Sequence, residues 1–298
     1  MRYILIGNGR PAMRALQTLT KAGETDIICY TDETEKEVFR RTATKAGLKI
    51  RGEADIRALS GGQGDVADWL LCFNSTTIIP AGVLQRISKG AVNFHPGKLP
   101  DYAGLNTHQW AIRNGETTAG VTLHFMEAGV DTGDIIAEDT LEITRDDTGF
   151  SLFNKCIKSG CDMIIAVVGD IINGVALPRK TQDLSQRRLY RRADALDGAI
   201  DWTWSAETIV NFARAGDYHP YPTPNYSAQW TLPDGREVIV LTAKVMPDPP
   251  ALTTGEARLV AGKVIVGCGN AEAVSIEKAL FDGAIVEPDQ WAAILAVG

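Results

Sequence analysis

Up to about residue 100, short unbroken apolar runs alternate with segments whose apolar residues recur every three or four positions. The runs at 3–6, 26–30 and 69–73 read as buried strands, and the segments at 11–22 and 34–46 as amphipathic helices. A helix near 80–86, a strand at 91–94, a helix over 106–114 and strands at 121–126 and 134–141 extend the series. The last two strands are separated by EAGVDTG at 127–133, and residues 151–173 carry apolar side chains at helical spacing, which predicts a long packing helix. This alternation predicts an α/β fold: a doubly wound, mostly parallel, Rossmann-like sheet with helices on both faces. In such sheets ligands bind beyond the carboxyl ends of the strands, and residues 93–95 lie at one of those ends.

From 178 to 204 the pattern weakens into a charged, irregular connection. A short helix over 205–215, the proline-rich YHPYPTPNY at 218–226, a hairpin over 228–243 turning at Pro233, Asp234 and Gly235, and a strand at 263–268 follow. This predicts a large domain over 1–185, a linker over 186–204 and a second, smaller, β-barrel-like (OB-like) domain over 205–298.

A chain of 298 residues exceeds the usual size of one domain, in agreement with two cores. Hydrophobic residues at 45 % and charged residues at 22 % match a soluble globular protein. The five cysteines form no C-x-x-C pair and sit mostly in apolar runs, which reads as buried thiols of a reducing cytoplasm; Cys156 and Cys161, five apart, do not suit zinc, and no metal is expected. The N-terminal apolar run is too short for a secretory signal, and no stretch approaches the roughly 18 apolar residues of a membrane span. A net charge of −7 argues against broad nucleic-acid affinity, with RRLYRR at 187–192 as the local exception.

Two motifs carry candidate chemistry. GNGRPA at 7–12 follows a strand, opens a helix and fits G-x-G-x-x-A, with Asp32 at the end of the next strand where an acidic residue would hold a ribose. It reads either as a nicotinamide dinucleotide site or as a plain tight turn. The second motif joins Asn93, an uncharged amide donor for a developing oxyanion, to His95, which handles protons near neutral pH. Asp131, in its glycine-flanked loop, is the acidic residue placed to set the state of His95. The alternative is structural: Asn93 caps a turn before Pro96, His95 packs, and Asp131 makes an Asx-turn with Gly133.

The stretch from Asn93 to Ile135 resembles the folate-dependent formyltransferases. It carries Asn93-x-His95, Leu99-Pro100, a strand with Gly120, Thr122 and His124, and Asp131-Thr132-Gly133. A looser resemblance runs from Met1 to about Gln182, and IDW at 200–202 with the small β-domain resembles the two-domain members.

The resemblance implies an N-formyltransferase that moves the formyl group of N10-formyltetrahydrofolate, without metal, to an amine. Asn93 and His95 would stabilise the tetrahedral oxyanion, and Asp131 would tune His95 and accept the amine proton. The family's pterin pocket maps onto Thr77, Ile78, Ile79 and Leu99 and onto the backbone of Glu127, Ala128, Gly129 and Val130. Tyr102, Leu105, Asn106 and His108 are placed to meet the acceptor, and His124 reads as a structural histidine.

The acceptor reading rests on departures from the family pattern. Gly97-Lys98-Leu99-Pro100 stands where many relatives have S-L-L-P, and Ala103-Gly104 where many have Arg-Gly. From residue 183 onward ten Lys and Arg face fifteen Asp and Glu, a balance of −5 that suits a polyanion poorly. These features favour a small-molecule amine: an amino sugar nucleotide, or an amino-acid or hydroxylamine group of a secondary metabolite. Methionyl-tRNA is disfavoured but stays an alternative, as do formyltetrahydrofolate hydrolysis, for which no acidic water-binding cluster speaks, and a nicotinamide-binding reductase. The expected protein is cytoplasmic, touches no membrane and is compatible with a homodimer.

Overall fold

The computed structural model describes residues 1–61, 64 and 66–296. In chain order its elements are β1 (Tyr3–Gly7), α1 (Gly9–Lys21), β2 (Ile27–Tyr30), α2 (Val38–Lys45), β3 (Lys49–Arg51), β4 (Ala67–Phe73), α3 (Ala81–Leu84), β5 (Ile87–His95), β6 (Ala103–Gly104), α4 (Thr107–Arg113), β7 (Thr118–Phe125), β8 (Ile135–Glu142), α5 (Gly149–Ile172) and β9 (Leu189–Tyr190). They continue with α6 (Ala206–Gly216), β10 (Gln229–Thr231), β11 (Glu237–Val245), β12 (Ala257–Val260), β13 (Lys263–Gly267), β14 (Ala273–Phe281), β15 (Ala284–Ile285) and α7 (Trp291–Leu295). Among the described residues no helix is long and apolar enough to cross a membrane.

The chain divides into two compact units. The first comprises Met1–Gly104, Ala119–Leu141 and Asn154–Leu189; the second takes Leu105–Thr118, Glu142–Phe153 and the chain from Tyr190 onward. Helix α4 therefore belongs with the C-terminal part of the chain. The reason lies in its side chains: Gln109 donates to the Ala215 carbonyl (2.9 Å), and the Arg113 guanidinium lies 4.7 Å from the Trp110 ring centre and 4.9 Å from that of Phe212. Such long-range contacts leave no mark in chain order.

The first unit holds a seven-stranded sheet of order β3-β2-β1-β4-β5-β7-β8. Strands β3, β2, β1, β4 and β5 pair in parallel, and β7 adds antiparallel to β5. Tyr3, Leu5, Ile6, Leu70, Leu71 and Phe73 are fully buried, as expected for strands covered on both sides. Each such apolar side chain contributes about 1.5–3 kcal/mol of burial. After β3 the chain returns past β1 to lay down β4 on its other side, so the topological switch point lies between β1 and β4.

Helix α2 begins four residues later than the apolar spacing predicts. Glu33 accounts for the delay: its Oε2 accepts from the Phe39 and Arg40 amides at 2.9 Å each, satisfying N–H groups that a helix start leaves open. The three-residue β3 is too short to show as a hydrophobic run.

The second unit is built on an antiparallel sheet of order β10-β11-β14-β13-β12, with β15 added to β14. Register shifts along β11 between Val240 and Ala243 curl it. The hairpin between β10 and β11 turns through Leu232–Arg236, as the turn residues predict. Helix α6 is capped by Ser205, whose hydroxyl accepts from the Thr208 amide.

Candidate active site

Asn93 and His95 lie two residues apart near the end of β5, so their side chains share one face of the sheet. Across the antiparallel pair with β7, Asn93 sits opposite His124 and His95 opposite Thr122. Four polar side chains thus meet on one face where the sheet core would otherwise be apolar. His95, His124 and Thr122 are 4 %, 2 % and 1 % exposed. Buried polar groups need partners, and each has one. The Thr122 hydroxyl donates to the Gly97 carbonyl (2.8 Å), which fixes the chain just beyond His95.

The partners assign the protons on both rings. His95 Nε2 lies 2.6 Å from the Tyr102 carbonyl, which only accepts, so Nε2 carries hydrogen. His95 Nδ1 then faces Asp131 Oδ2 at 3.6 Å. His124 Nδ1 donates to the Phe125 carbonyl (2.8 Å), leaving Nε2 as the acceptor for Asn93 Nδ2 at 3.1 Å. Asn93 itself is half-buried.

Asp131 adopts the left-handed backbone region (φ +55°), which turns its carboxylate back over β5 and β7. Oδ2 accepts from the Gly104 amide at 2.8 Å, and Oδ1 lies 3.6 Å from His124 Nε2. The side chain therefore joins the polar cluster rather than closing an Asx-turn on its own loop. Gly133 secures the loop's return, because a Cβ there would lie 2.0 Å from the Phe125 carbonyl oxygen. Gln182 donates to the Asp131 and Gly133 carbonyls at 3.1 and 2.6 Å, and Arg187 to the Val130 carbonyl at 2.9 Å. The first arginine of the basic run is thus committed to holding this loop.

The electrostatics follow from this packing. Burial opposes ionisation of Asp131, but in the acid range where it titrates, attraction to a protonated His95, the neighbouring His124 and the Gly104 amide favour the carboxylate and hold the carboxyl well below the usual range. Burial pulls His95 below its ordinary value, against the opposing pull of Asp131 and the Tyr102 carbonyl. At neutral pH the cluster is a carboxylate beside a neutral imidazole whose Nδ1 lone pair is free to take a proton. With the Asn93 amide on the same sheet face, it offers one neutral hydrogen-bond donor and one base side by side.

The remaining singled-out residues divide. Ile78 is 69 % exposed and Val130 47 %, while Glu127, Ala128 and Gly129 form an exposed loop. Thr77 is half-buried, and Ile79 is buried in the core with Val83 and Ala91. Leu99 packs in a small core with Ala103 and Ile135 beside a cis Leu99–Pro100 peptide, so it is core and not an open wall. The Tyr102 ring is buried, and the residue reaches the cluster through its carbonyl. Leu105, Asn106 and His108 belong to the second unit. Leu105 is exposed, Asn106 opens α4 in the left-handed region, and His108 is buried with Nε2 on the Tyr218 hydroxyl. The residues that sequence reasoning missed are Gln182 and the loop-holding role of Arg187, which no local motif marks. His124, read from the sequence as a structural histidine, is buried and partnered to Asn93 and the Phe125 carbonyl.

The glycine turn at 7–12 serves the fold. The Gly9 amide donates to Glu33 Oε1, so the chain's own carboxylate stands where a dinucleotide pyrophosphate would bind. Asp32 Oδ1 accepts from the Glu53 amide (2.9 Å), and a Cβ on Gly7 would lie 1.9 Å from the Phe73 carbonyl oxygen. Gly7 thus permits the close approach of β1 and β4.

Residues 24–168 match the formyl transferase family model, and residues 193–295 match that of the formyl transferase C-terminal domain. The chain is 30 % identical to methionyl-tRNA formyltransferase of Anaeromyxobacter dehalogenans over all of its own length and 97 % of that protein. It is 31 % identical to GDP-perosamine N-formyltransferase of Brucella melitensis, covering 74 % of this chain and 86 % of that one. Its fold resembles the crystal structure of WlaRD, a sugar 3N-formyl transferase solved with dTDP and 5-N-formyl-THF, with a TM-score of 0.72 at 19 % identity over 95 % of this chain and 98 % of the other. With both domain models matched in order and a relative aligned end to end, this chain belongs to the formyl transferase family.

Proposed function

We propose that the protein transfers the formyl group of N10-formyltetrahydrofolate to the amine of a small molecule, an amino sugar nucleotide before other acceptors. The observation that carries the chemistry is the Asn93–His95–His124–Asp131 cluster: a neutral donor, an uncharged imidazole and a carboxylate on one sheet face. The folate supplies a formyl carbon already activated as an amide, so no covalent enzyme intermediate is needed. The free Asn93 Nδ2 hydrogen donates to the formyl oxygen as it gains charge during attack by the amine. His95 Nδ1 takes the amine proton, and the Asp131 carboxylate stabilises the imidazolium so formed. His95 then returns the proton to the departing folate nitrogen as its bond to the formyl carbon breaks. Fixed Thr77, outward Ile78 and the exposed 127–130 backbone suit a flat, hydrogen-bonding pterin ring.

The acceptor reading is supported by the −5 balance from residue 183 onward, by Gly97-Lys98 and Ala103 in the motif, and by the likeness to a GDP-perosamine N-formyltransferase. A second reading, transfer to methionyl-tRNA, is favoured by the full-length alignment with the Anaeromyxobacter protein. The deciding experiment supplies N10-formyltetrahydrofolate with dTDP- and GDP-linked amino sugars, amino acids, hydroxylamines and charged initiator tRNA in parallel, and follows tetrahydrofolate release and formylated product. Release dependent on an amino sugar nucleotide is expected. Product with tRNA alone transfers the assignment to the second reading, and formate release without any amine would sink both.

A further inference from the structure

Glu53 is the most deeply buried carboxylate outside the catalytic cluster among the described residues, joined in this by Asp147, and is 4 % exposed. It stands at the switch point between β1 and β4. Its Oε1 accepts from Asn8 Nδ2 at 2.6 Å, and its Oε2 accepts from the hydroxyls of Ser75 and Thr77, each at 2.6 Å. Asn8 in turn is locked to the loop after β4: its Nδ2 also lies 3.3 Å from the Asn74 carbonyl, and Asn74 Nδ2 donates to the Asn8 carbonyl at 3.1 Å. The Thr77 amide donates to Ser75 Oγ at 3.0 Å.

Burying a charge is a poor route to stability, since its desolvation offsets most of what its bonds contribute. What such a charge does well is select one conformation, because every donor aimed at it loses a strong partner in any other. Here the selected object is the loop from Asn74 to Pro80. Thr77 is held by Glu53 and Ile79 is anchored in the core, so the residue between them is forced outward, and Ile78 stands 69 % exposed on a loop that is otherwise fixed. A rigid loop that presents an isoleucine to solvent is a preorganised apolar surface, which lowers the ordering cost of a flat ligand laid against it.

We infer that Glu53 is a positioning residue for the folate site: it touches no reacting atom but clamps Ser75 and Thr77 so that Ile78 and the adjoining backbone meet the pterin ring in one conformation. The inference rests on the proposed use of the Thr77–Ile79 loop for folate. The test is calorimetric binding of 5-formyltetrahydrofolate, with the formyl on the wrong nitrogen for transfer, to the full chain and to Glu53→Ala, Glu53→Gln and Ser75→Ala/Thr77→Ala, alongside steady-state kinetics and melting curves. Glu53→Ala is expected to weaken folate binding and raise its KM about tenfold, with kcat at saturating folate and acceptor KM changed less than about threefold. Glu53→Gln, which keeps one acceptor oxygen, is expected to recover part of the loss, and the Ser75/Thr77 double variant to reproduce it. A folded Glu53→Ala that binds folate like the parent overturns the inference and leaves the folate site standing, as does loss of kcat and of both KM values together with a collapsed melting curve in Glu53→Gln and the double variant. Absence of folate binding by the parent removes the folate reading itself. Where Glu53→Ala does not fold, the other two variants decide.

Discussion

His124 stands directly across the β5–β7 pair from Asn93, and its Nε2 accepts the Asn93 amide at 3.1 Å while its Nδ1 is held by the Phe125 carbonyl. The ring therefore sets which way the Asn93 amide points, and the second Nδ2 hydrogen is aimed without help from substrate. Removing the donor in Asn93→Ala is expected to cost about 2.7–4 kcal/mol of transition-state stabilisation, or roughly 10²–10³ in kcat. His124→Phe, which keeps the volume and deletes the acceptor, is expected to lower kcat by a smaller factor with little change in folate KM. Because the two act as a unit, the double variant should lose much less than the product of the single losses. Multiplicative losses in a double-mutant cycle would show that His124 acts independently of Asn93.

The pH dependence follows from the depressed proton affinity of His95. In the proposed mechanism its neutral form is the base, so kcat is expected to be flat at neutral pH and to fall on the acid side only below the ordinary imidazole value of 6.5. Asp131 raises the proton affinity of His95, so Asp131→Asn lowers it further. The acid limb should then move to lower pH while the plateau rate falls by about 10²–10⁴. An acid limb that moves upward in Asp131→Asn contradicts this pairing. Stability shares the sign. The folded protein holds His95 neutral and Asp131 charged, so stability declines as pH falls below 6.5 and again below the ordinary carboxylate value of 3.8.

The parallel core was legible because each buried strand is an unbroken apolar run, and Asn93, His95 and Asp131 because they break such patterns with side chains that need partners. Their convergence was not legible in full. Gln182 and Arg187 reach the 127–133 loop from some fifty residues away, and Glu53 meets Asn8, Ser75 and Thr77 only because the chain reverses at the switch point. His108 and Leu99 misled for the opposite reason: motif position marks a residue's neighbourhood, while burial against Tyr218, or against Ala103 and Ile135, decides what its side chain meets.

Gly7 separates the two readings of the glycine turn. A methyl group there meets the Phe73 carbonyl 1.9 Å away, so β1 and β4 must part. Gly7→Ala is expected to lower stability by on the order of 1–3 kcal/mol or more, read as a lower melting temperature. Because Glu33 already holds the Gly9 amide, titration with NAD or NADP should give no binding heat in the parent protein. Micromolar binding lost in Gly7→Ala would restore the nicotinamide reading.

Salt dependence distinguishes the acceptors by counting phosphates. A protein that neutralises 6–10 phosphates loses about 10³–10⁵ in affinity between roughly 50 and 200 mM salt, because each contact releases condensed counterions. With ten basic against fifteen acidic residues from position 183 onward, this chain is poorly equipped to make so many contacts. An amino sugar nucleotide brings only a diphosphate. The KM for such an acceptor is therefore expected to rise by less than about tenfold over the same range, with charged initiator tRNA a poor substrate throughout. If tRNA is instead formylated efficiently at low salt and its kcat/KM falls by three or more decades on raising salt, exposed cationic groups must gather the polyanion despite this balance. Arg188, Arg191 and Arg192, exposed beyond the committed Arg187, are the first to replace with glutamine.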